Sequence, residues 1–259
     1  MNDPSDIPVV ILCGGRGARL SERTESIPKP LVEIGGLPIL WHIMKGYAAS
    51  GFTRFVLCLG YKGEKIREYF MGLTEWRNRD FTLRGGAVEY RGSVEDWTIT
   101  FANTGADTET GSRLRRITPY LGDAETFFAT YGDGVSNVSI PTLLATHMRF
   151  GCRATMTCVR ARSQFGHVNV RDDGTVLDYQ QKPTLGTWVN GGFFCFDREV
   201  LQFVREDEPL ESAFPRLIEE RQLAAHLHEG FWGSMDTLKD ALYLNDLWAQ
   251  GDAPWKVWT

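Results

Sequence analysis

A glycine-rich segment near the N-terminus has the composition of a phosphate-binding loop. Gly14, Gly15 and Gly17 directly follow an apolar run, and Arg19 and Lys29 come shortly afterwards. Glycine lets a backbone approach a ligand closely, and successive N–H groups in such a turn form a concavity that binds anions. Arginine adds a forked donor and lysine a point charge, both suited to phosphate oxygens. The alternative is an ordinary glycine-rich turn between a strand and a helix.

Two common phosphate-binding loops do not match this segment. The dinucleotide pattern GxGxxG fails from Gly15 because Leu20 stands where its last glycine belongs, and it fails from Gly14 because positions 16 and 19 are arginines. The pattern GxxxxGK[ST] fails because Lys29 follows Pro28. The mismatches disfavour an NAD-dependent oxidoreductase.

Two aspartates further along the chain have the surroundings of ligands for a hard cation. Asp133 follows the apolar run 127–131, and Asp236 follows a second apolar segment just before a predicted helix. Mg²⁺ prefers oxygen ligands and usually takes one or two carboxylates together with phosphates. Taken singly, Asp133 could be a turn residue at a strand end, and Asp236 a helix N-cap.

The elements that must position these residues alternate between strand and helix. Continuous apolar runs at 7–13, 55–59 and 127–131 predict strands buried on both faces, as in a parallel sheet. Apolar residues at helical spacing predict a helix at 38–50. The order predicts an α/β fold with right-handed crossovers. Residues 80–102 form short runs separated by glycine-containing turns, which we interpret as an antiparallel excursion.

Composition narrows the function classes. The 259 residues include 28 Lys and Arg against 33 Asp and Glu, a net charge of −5 that argues against a nucleic-acid partner. The five cysteines form no CxxC pair, so neither a disulfide framework nor a zinc ribbon is predicted. No apolar stretch approaches the roughly 18 residues of a membrane span. The N-terminus lacks the basic region of a signal peptide, so we expect a cytoplasmic protein without a membrane partner.

Several segments, in the same order along the chain, resemble the sugar-phosphate nucleotidyltransferases, and among them the glucose-1-phosphate cytidylyltransferases. The segments are Gly-Gly-x-Gly-x-Arg-Leu with Pro-Lys-Pro, VEIGGLPILWHIMK at 32–45, DTETGSRL at 107–114, TYGDGV at 130–135, NGGFF at 190–194 and MDTL at 235–238. The resemblance covers nearly the whole chain. It implies a Rossmann-like, three-layer α/β/α nucleotidyltransferase fold with a mostly parallel central sheet. It also implies a single domain spanning 1–259, with 151–196 as the acceptor-binding half.

The resemblance implies an enzyme that joins a nucleoside triphosphate to a sugar 1-phosphate. The sugar phosphate attacks the α-phosphorus in line, pyrophosphate leaves, and Mg²⁺ assists. Such an enzyme must hold two polyanions together and neutralise their charge. The segment at 107–114 resembles the cytidylyl-transferring relatives, and the Gln-rich segment of thymidylyl- and uridylyl-transferring relatives is absent. CTP is therefore the favoured nucleotide and glucose 1-phosphate the favoured acceptor, while UTP stays open. A homo-oligomer is expected from the resemblance.

The predicted site residues stand at positions of the family motifs, three of them with a changed residue (Ala18, His167 and Gln181), and Trp188 is included because it is close in sequence to Asn190. The predicted catalytic residues are Arg19, Lys29 and Asp133, and the predicted metal ligands are Asp133 and Asp236. The predicted nucleotide-binding residues are Leu12, Cys13, Gly14, Gly15, Arg16, Gly17, Ala18, Arg19, Lys29, Thr108, Arg113 and Gly132. The predicted acceptor-binding residues are Gly166, His167, Gln181, Lys182, Trp188, Asn190 and Gly191.

The departures from the family pattern concentrate on the acceptor side. Gln181 replaces a glutamate, His167 an alanine, and Gly233-Ser234 a Gln-Pro pair, whereas the phosphate loop changes at Ala18. Because a site that hydrogen-bonds particular hydroxyls discriminates strongly, these changes keep a second hypothesis open. In that hypothesis the acceptor is a different sugar 1-phosphate, or another phosphate or phosphonate. A non-catalytic nucleotide-binding regulatory module is a lesser alternative, because it predicts loss of the charged residues that this chain retains.

Overall fold

Fifteen strands and six α-helices make up the regular structure of the computed structural model, which describes residues 3–15, 27–73, 81–84, 87–90, 95–163, 165–184 and 186–258. The strands are β1 Val9–Leu12, β2 Glu33–Ile34, β3 Leu37–Pro38, β4 Arg54–Leu59, β5 Phe81–Arg84, β6 Ala87–Tyr90, β7 Thr98–Asn103, β8 Thr126–Tyr131, β9 Gly134–Ser136, β10 Ala154–Val159, β11 His167–Val170, β12 Val176–Gln180, β13 Val189–Asp197, β14 Leu223–His228 and β15 Trp232–Ser234. The α-helices are α1 Ile39–Ala48, α2 Gly63–Glu68, α3 Thr110–Arg116, α4 Ile140–Phe150, α5 Phe214–Glu219 and α6 Leu238–Ala249. The counts refer to the described ranges.

A seven-stranded sheet lies at the centre, in the order β14-β10-β13-β8-β1-β4-β7. The pairs β1–β4, β1–β8, β4–β7 and β10–β14 are parallel. Only β13 among these strands runs antiparallel to its neighbours, β8 and β10. The predicted mostly parallel α/β sheet is confirmed.

The central strand β1 shows why this sheet is covered on both faces. All four of its residues are buried. Val9 and Ile11 face one apolar core, which includes Tyr47 of α1. Val10 faces the other core, which includes Leu114 of α3. A strand buried on both faces needs helices above and below it, which gives three layers.

The interpretation of 80–102 as antiparallel requires correction. Strands β5 and β6 do form an antiparallel hairpin. In contrast, β7 pairs in parallel with β4, with Thr98 opposite Arg54, and forms an edge of the central sheet. Its sequence resembled a half-buried antiparallel strand because an edge strand is also partly exposed. Ile99 and Phe101 pack against one core while Thr98 faces solvent.

The chain between β10 and β13 leaves the central sheet as a two-stranded hairpin. Strands β11 and β12 pair antiparallel around a turn at 172–174, where Gly174 takes a positive φ of 87°. Every residue of both strands is exposed. Across the described residues, no helix has the length and apolar character to span a membrane.

Candidate active site

A cavity of about 600 Å³ opens where β1 and β8 end at the same edge of the sheet. The Gly132 N–H donates to the Leu12 carbonyl at 3.1 Å and holds the two strand ends together. Ligands of open α/β sheets bind at this carboxyl edge. The lining residues are Leu12, Cys13, Gly14, Gly15, Lys29, Pro30, Ala106, Asp107, Thr108, Glu109, Thr110, Arg113, Tyr131, Gly132, Asp133 and Asp236.

One lysine and two aspartates meet on the wall of this cavity. The Lys29 Nζ donates to Asp133 Oδ2 at 2.6 Å and to Asp236 Oδ1 at 2.8 Å. Its side chain is 11% exposed, and the two carboxylates are 32% and 34% exposed. Lys29 is therefore enclosed by the protein, while the carboxylates still reach the open cavity.

Long-range pairing brings the two aspartates to this wall. Asp133 lies in the turn between β8 and β9, and Asp236 lies between β15 and α6. Strands β9 and β15 pair antiparallel, with Gly134 opposite Ser234. The Met235 N–H donates to the Asp133 carbonyl at 2.8 Å. Residues about a hundred positions apart are thereby fixed side by side.

The start of α6 fixes Asp236 from the other side. Thr237 caps the helix, and Asp240 accepts hydrogen bonds from the N–H groups of Thr237 and Asp236 at 2.8 and 3.2 Å. This capping box satisfies donors that the first turn of a helix leaves open. The backbone that carries the Asp236 carboxylate is thus held at both ends.

The positive charge of Lys29 and the negative charges of Asp133 and Asp236 stabilise one another. Burial acts to lower the pKa of Lys29, but the attraction and hydrogen bonds of Asp133 and Asp236 outweigh it and raise that pKa above its usual value. Lys29 therefore remains an ammonium at neutral pH. Two partly exposed carboxylates around one cation form an environment that favours positive charge.

The donor set fits a magnesium ion that also binds phosphate oxygens. Both carboxylates already share a cation, and both are open to the cavity. No group of three or more His, Cys, Asp or Glu side chains in the described ranges forms a closed metal site. Mg²⁺ commonly uses one or two carboxylates and completes its shell with water and phosphate.

The predicted nucleotide-binding residues divide into two groups. Leu12, Cys13, Gly14, Gly15, Lys29, Thr108, Arg113 and Gly132 all line the cavity. Arg16, Gly17, Ala18 and Arg19 lie outside the described residues. The Arg113 side chain reaches the cavity wall from behind, and its guanidinium donates to backbone carbonyls and to Thr104.

The seven predicted acceptor residues are absent from the lining of this cavity. Gly166 and His167 lie at the start of the β11–β12 hairpin, and Gln181 and Lys182 follow its end. Trp188, Asn190 and Gly191 lie at the start of β13. The structure thus places these seven residues around the β11–β12 hairpin and the start of β13, apart from the residues that line the cavity.

Most of these acceptor-side groups have protein partners. His167 Nε2 lies 3.0 Å from Ser163 Oγ, and the Gln181 side chain accepts from the Tyr179 hydroxyl. The Gly191 carbonyl accepts from Trp232 Nε1 at 2.7 Å. Asn190 Oδ1 accepts from the Gly192 N–H at 2.9 Å. These hydrogen bonds fix the backbone conformation around the acceptor-side residues and the orientation of their side chains.

Several cations gather on the acceptor side. Lys239 lies beside Lys182, and its positive charge, together with that of Arg162, lowers the pKa of Lys182. Arg160 stacks on the Trp188 ring at 4.5 Å from its centre. None of the ion pairs found among the described residues includes any of these four cations. Such a surface favours an anionic ligand.

Comparison with known proteins identifies the family. Residues 8–247 match the family model for nucleotidyl transferase. The chain belongs to the nucleotidyl transferase family. It is 45% identical to a probable glucose-1-phosphate cytidylyltransferase of Bacillus subtilis, covering 96% of this chain and 99% of the relative. It is 42% identical to the glucose-1-phosphate cytidylyltransferase of Salmonella typhimurium, covering 96% and 98%.

Solved structures agree with the nucleotidyl transferase fold. HddC from Yersinia pseudotuberculosis complexed with GMP-PN superposes with a TM-score of 0.67 at 18% identity, covering 93% of this chain and 99% of the other. A putative glucose-1-phosphate thymidylyltransferase from Bacillus anthracis gives a TM-score of 0.65 at 16% identity, covering 93% and 94%. At these identities the similarity is one of fold. The family resemblance drawn from the sequence motifs is confirmed.

Sequence reasoning missed several residues of this nucleotidyl transferase's cavity. Tyr131 ends β8, donates its hydroxyl to Glu211, and has a pKa raised by burial and by that carboxylate. Pro30, Asp107 and Glu109 also line the cavity. Position at the carboxyl end of a strand was the available signal for Tyr131. Lys239 on the acceptor side had no comparable signal, because its role depends on where α6 packs.

Proposed function

We propose that the protein transfers a cytidylyl group from CTP to a sugar 1-phosphate, with glucose 1-phosphate favoured, and releases a CDP-sugar and pyrophosphate. The observation that carries this proposal is the 42–45% identity, over 96% of the chain, to relatives named glucose-1-phosphate cytidylyltransferase. The meeting of Lys29, Asp133 and Asp236 on the cavity wall supports it.

The reaction needs charge neutralisation more than covalent help from the protein. An oxygen of the acceptor phosphate forms a bond to the α-phosphorus of CTP, and the bond from that phosphorus to the bridging oxygen breaks. Pyrophosphate leaves with the electron pair of the broken bond. A phosphate monoester is already largely ionised at neutral pH, so no general base is required. The protein has to hold the two phosphates in line and offset their repulsion.

The residues on the cavity wall have distinct roles in this proposal. Lys29 offers an ammonium that remains charged, close to where the α-phosphate lies against the wall. Asp133 and Asp236 would hold magnesium, which supplies charge neutralisation for the phosphates when bound. Gly14 and Gly15 line the cavity at the end of β1, and we propose that their N–H groups receive phosphate oxygens. Arg19 remains a proposed catalytic residue on the strength of the motif.

The acceptor proposal rests on the cationic surface around Lys182. Lys182, Lys239 and Arg162 lie close enough to influence one another, and a phosphate dianion would relieve their mutual repulsion. Gln181 and His167 differ from the family pattern beside this surface. A second candidate acceptor, another sugar 1-phosphate or a related phosphate or phosphonate, is favoured by those two differences.

The test is pyrophosphate release with magnesium across a panel of nucleotides and acceptors. We expect release with CTP and glucose 1-phosphate, and a rate lower by about 10²–10³-fold with the D133N variant. Release with CTP and an acceptor other than glucose 1-phosphate, but not with glucose 1-phosphate itself, would change the proposed acceptor and keep the proposed cytidylyl transfer. Release with UTP alone would overturn the choice of nucleotide. Binding of CTP with no release for any acceptor would favour the non-catalytic module.

Gln181 gives a direct test of acceptor specificity. Glutamate at this position, as in Q181E, accepts hydrogen bonds from hydroxyls more strongly than an amide does, because it is charged. We expect Q181E to lower the KM for glucose 1-phosphate several-fold and to leave the KM for CTP within about twofold. An unchanged KM for every acceptor would place Gln181 outside the acceptor site.

We also propose a homo-oligomer. Two apolar cross-strand pairs of the β11–β12 hairpin, Val168 with Tyr179 and Val170 with Val176, are exposed. An isolated two-stranded hairpin is marginal in water, so a second copy of the chain covering these pairs would stabilise it. Light scattering after size exclusion should give a multiple of the 29.2 kDa chain mass. A monomer at micromolar concentration would refute the proposal.

Two broader expectations remain proposals. We propose that residues 1–259 act as a single domain with 151–196 as its acceptor-binding half. We propose a cytoplasmic location, supported by five cysteines that are all free thiols. Limited proteolysis tests the first proposal, because a single domain should yield no stable fragment of half size. Cell fractionation of the full chain tests the second.

A further inference from the structure

A histidine lies at the edge of the sheet where the cavity opens, outside the residues that line that cavity. His228 ends β14, which pairs in parallel with β10 and places His228 opposite Val159. Strands β10 and β8 both run antiparallel to β13, so β14 points in the same direction as β8. The carboxyl end of β14 therefore lies at the edge where β8 ends and Asp133 follows.

The imidazole of His228 joins two turns through one nitrogen. Its Nε2 lies 3.0 Å from Asn137 Oδ1 and 3.3 Å from the Phe231 carbonyl oxygen. A carbonyl oxygen only accepts, so Nε2 carries the proton and donates. Burial lowers the pKa of His228, and the bond to the Phe231 carbonyl offsets part of that effect. The neutral ring with its proton on Nε2 is thus the form that makes these bonds at neutral pH.

Three donors converge on the Phe231 carbonyl. The Ser136 hydroxyl donates to it at 2.7 Å and the Asn137 N–H at 3.2 Å, in addition to His228. A Cβ on Gly230 would overlap both the Asn137 side chain and the His228 ring, so this close approach requires glycine at position 230. The backbone before β15 is therefore fixed against the turn that follows β9.

This junction closes one end of the ribbon formed by β9 and β15. Asn137 directly follows β9, and Phe231 directly precedes β15. At the other end of the ribbon, Asp133 directly precedes β9 and Asp236 follows β15 by two residues. The ribbon has three cross-strand pairs and forms a two-stranded sheet separate from the central one. Because a two-stranded ribbon is marginal by itself, the position of one strand against the other depends on what holds the ends.

The ribbon is short enough to transmit a shift from one end to the other. A rise of about 3.3 Å per residue puts Asn137 about 13 Å from Asp133 along β9. Asp133 and Asp236 accept from the same Lys29 nitrogen at 2.6 and 2.8 Å, so their separation is closely set. Sliding of β9 against β15 would change that separation. Magnesium binds oxygen at about 2.1 Å in a nearly ideal octahedron and tolerates little such change.

We propose that His228 is a positioning residue for the two carboxylates that would hold magnesium: its Nε2–H fixes β9 against β15 and thereby sets the separation of Asp133 and Asp236. It acts through Asn137 and Phe231, from outside the cavity lining. The inference rests on the proposed function in one respect, which is that these two carboxylates hold the metal.

The same strand supplies a matched control. His226 lies two residues before His228, on the same face of β14, and is buried. Its Nδ1 lies 3.1 Å from Thr146 Oγ1, so its bond goes to α4 rather than to the ribbon. H228L removes the donor to the ribbon, and H228Q keeps an amide donor of similar reach. H226L removes a buried hydrogen bond of the same strand and leaves the ribbon junction intact.

Mn²⁺ is the probe of the carboxylate pair, because it accepts the same oxygen ligands as Mg²⁺. Its dissociation constant is measured on each folded variant without nucleotide, by electron paramagnetic resonance of the free ion. The melting temperature of each variant is recorded alongside. Pyrophosphate release with CTP and glucose 1-phosphate then gives the magnesium concentration for half-maximal rate and the KM for the acceptor.

A residue bonded directly to a metal ligand typically contributes about 10–100-fold to metal affinity, and His228 acts one step further away. We therefore expect H228L to weaken Mn²⁺ binding about fivefold and to raise the magnesium requirement by a similar factor. H228Q and H226L should stay within about twofold of wild type, as should the KM for glucose 1-phosphate in all three variants.

A merely structural His228 would lower the melting temperature and leave the Mn²⁺ affinity of the folded protein unchanged. Wild-type Mn²⁺ affinity in H228L would therefore overturn the proposal, and so would an equal loss of affinity in H226L. Should H228L fail to fold, N137A decides, because it removes one of the two acceptors and keeps the histidine. We expect N137A to weaken Mn²⁺ binding about threefold, and an unchanged affinity would overturn the proposal.

Failure of the proposed function has a different signature. If D133N binds Mn²⁺ as tightly as wild type, the carboxylates do not hold the metal, and the inference fails with that part of the proposed function. If D133N loses Mn²⁺ binding and H228L does not, the metal ligands stand and the inference fails. If H228L weakens Mn²⁺ binding while wild type releases no pyrophosphate with any acceptor, the inference stands and the proposed cytidylyl transfer fails.

Discussion

Replacing Lys29 by methionine removes the cation between Asp133 and Asp236 and keeps an unbranched side chain of similar length. The two carboxylates lie 2.6 and 2.8 Å from the same nitrogen, so their bonded oxygens are at most about 5.4 Å apart. Without the ammonium these two negative charges face each other. The K29M protein should therefore be less stable than wild type at neutral pH.

The expected loss of stability in K29M follows from the distance between the two carboxylates and from their exposure to solvent. Two unit charges about 5.4 Å apart repel by about 3 kcal/mol at an effective dielectric constant of about 20. The carboxylates are 32% and 34% exposed, and solvent screens part of that repulsion. We expect K29M to lower the free energy of unfolding by about 1–2 kcal/mol.

The assay is urea unfolding of wild type and K29M at several pH values. The pKa of Lys29 is raised in the folded protein, so its stabilisation is complete below the unfolded value and is lost as pH rises through the folded value. The difference between the proteins should be constant from about pH 7 to 9 and shrink above about pH 10.4. K65M, which removes an exposed lysine paired with Glu68, is the matched control and should match wild type.

Magnesium extends the test. A divalent cation can take the place of the ammonium between the same carboxylates, so magnesium should stabilise K29M more than it stabilises wild type. A K29M protein as stable as wild type at pH 8 would refute the reasoning about repulsion. Equal stabilisation of both proteins by magnesium would refute the assignment of these carboxylates as its ligands.

Three further predictions concern the site and its supports. D133N and D236N should each lower the rate of pyrophosphate release by about 10²–10³-fold with the fold intact by circular dichroism, and a rate within tenfold of wild type would contradict their role. Burial lowers the pKa of His42 to about 4, so protonation should cost about 3 kcal/mol of stability between pH 7 and pH 4. H42Q, which can still donate to the Ile34 carbonyl, should flatten that dependence in urea unfolding, and an unchanged slope would exclude His42 as its source. T237A should lower the free energy of unfolding by about 1 kcal/mol through loss of the α6 cap, whereas T237S should not.

The local pattern of residue types was enough to predict the strands that carry the site. Apolar runs ending at Cys13 and Tyr131 placed the glycine-rich loop and Asp133 at strand ends, because a strand buried on both faces must be apolar throughout. The pattern did not predict that β7 pairs in parallel with β4. Alternating polar and apolar residues describe an edge strand of either kind, and strand direction depends on how the chain connects.

The sequence by itself determined the fold class, the family and the types of the charged residues at the site, because these follow from local apolar patterns and from collinear motifs. Only the tertiary structure decided which side chains meet. Lys29 contacts aspartates 104 and 207 positions away, and Arg113 turns toward backbone carbonyls of three segments. Such contacts depend on long-range strand pairing and on the space that Gly14 and Gly60 leave, and neither can be read from residue type at a single position.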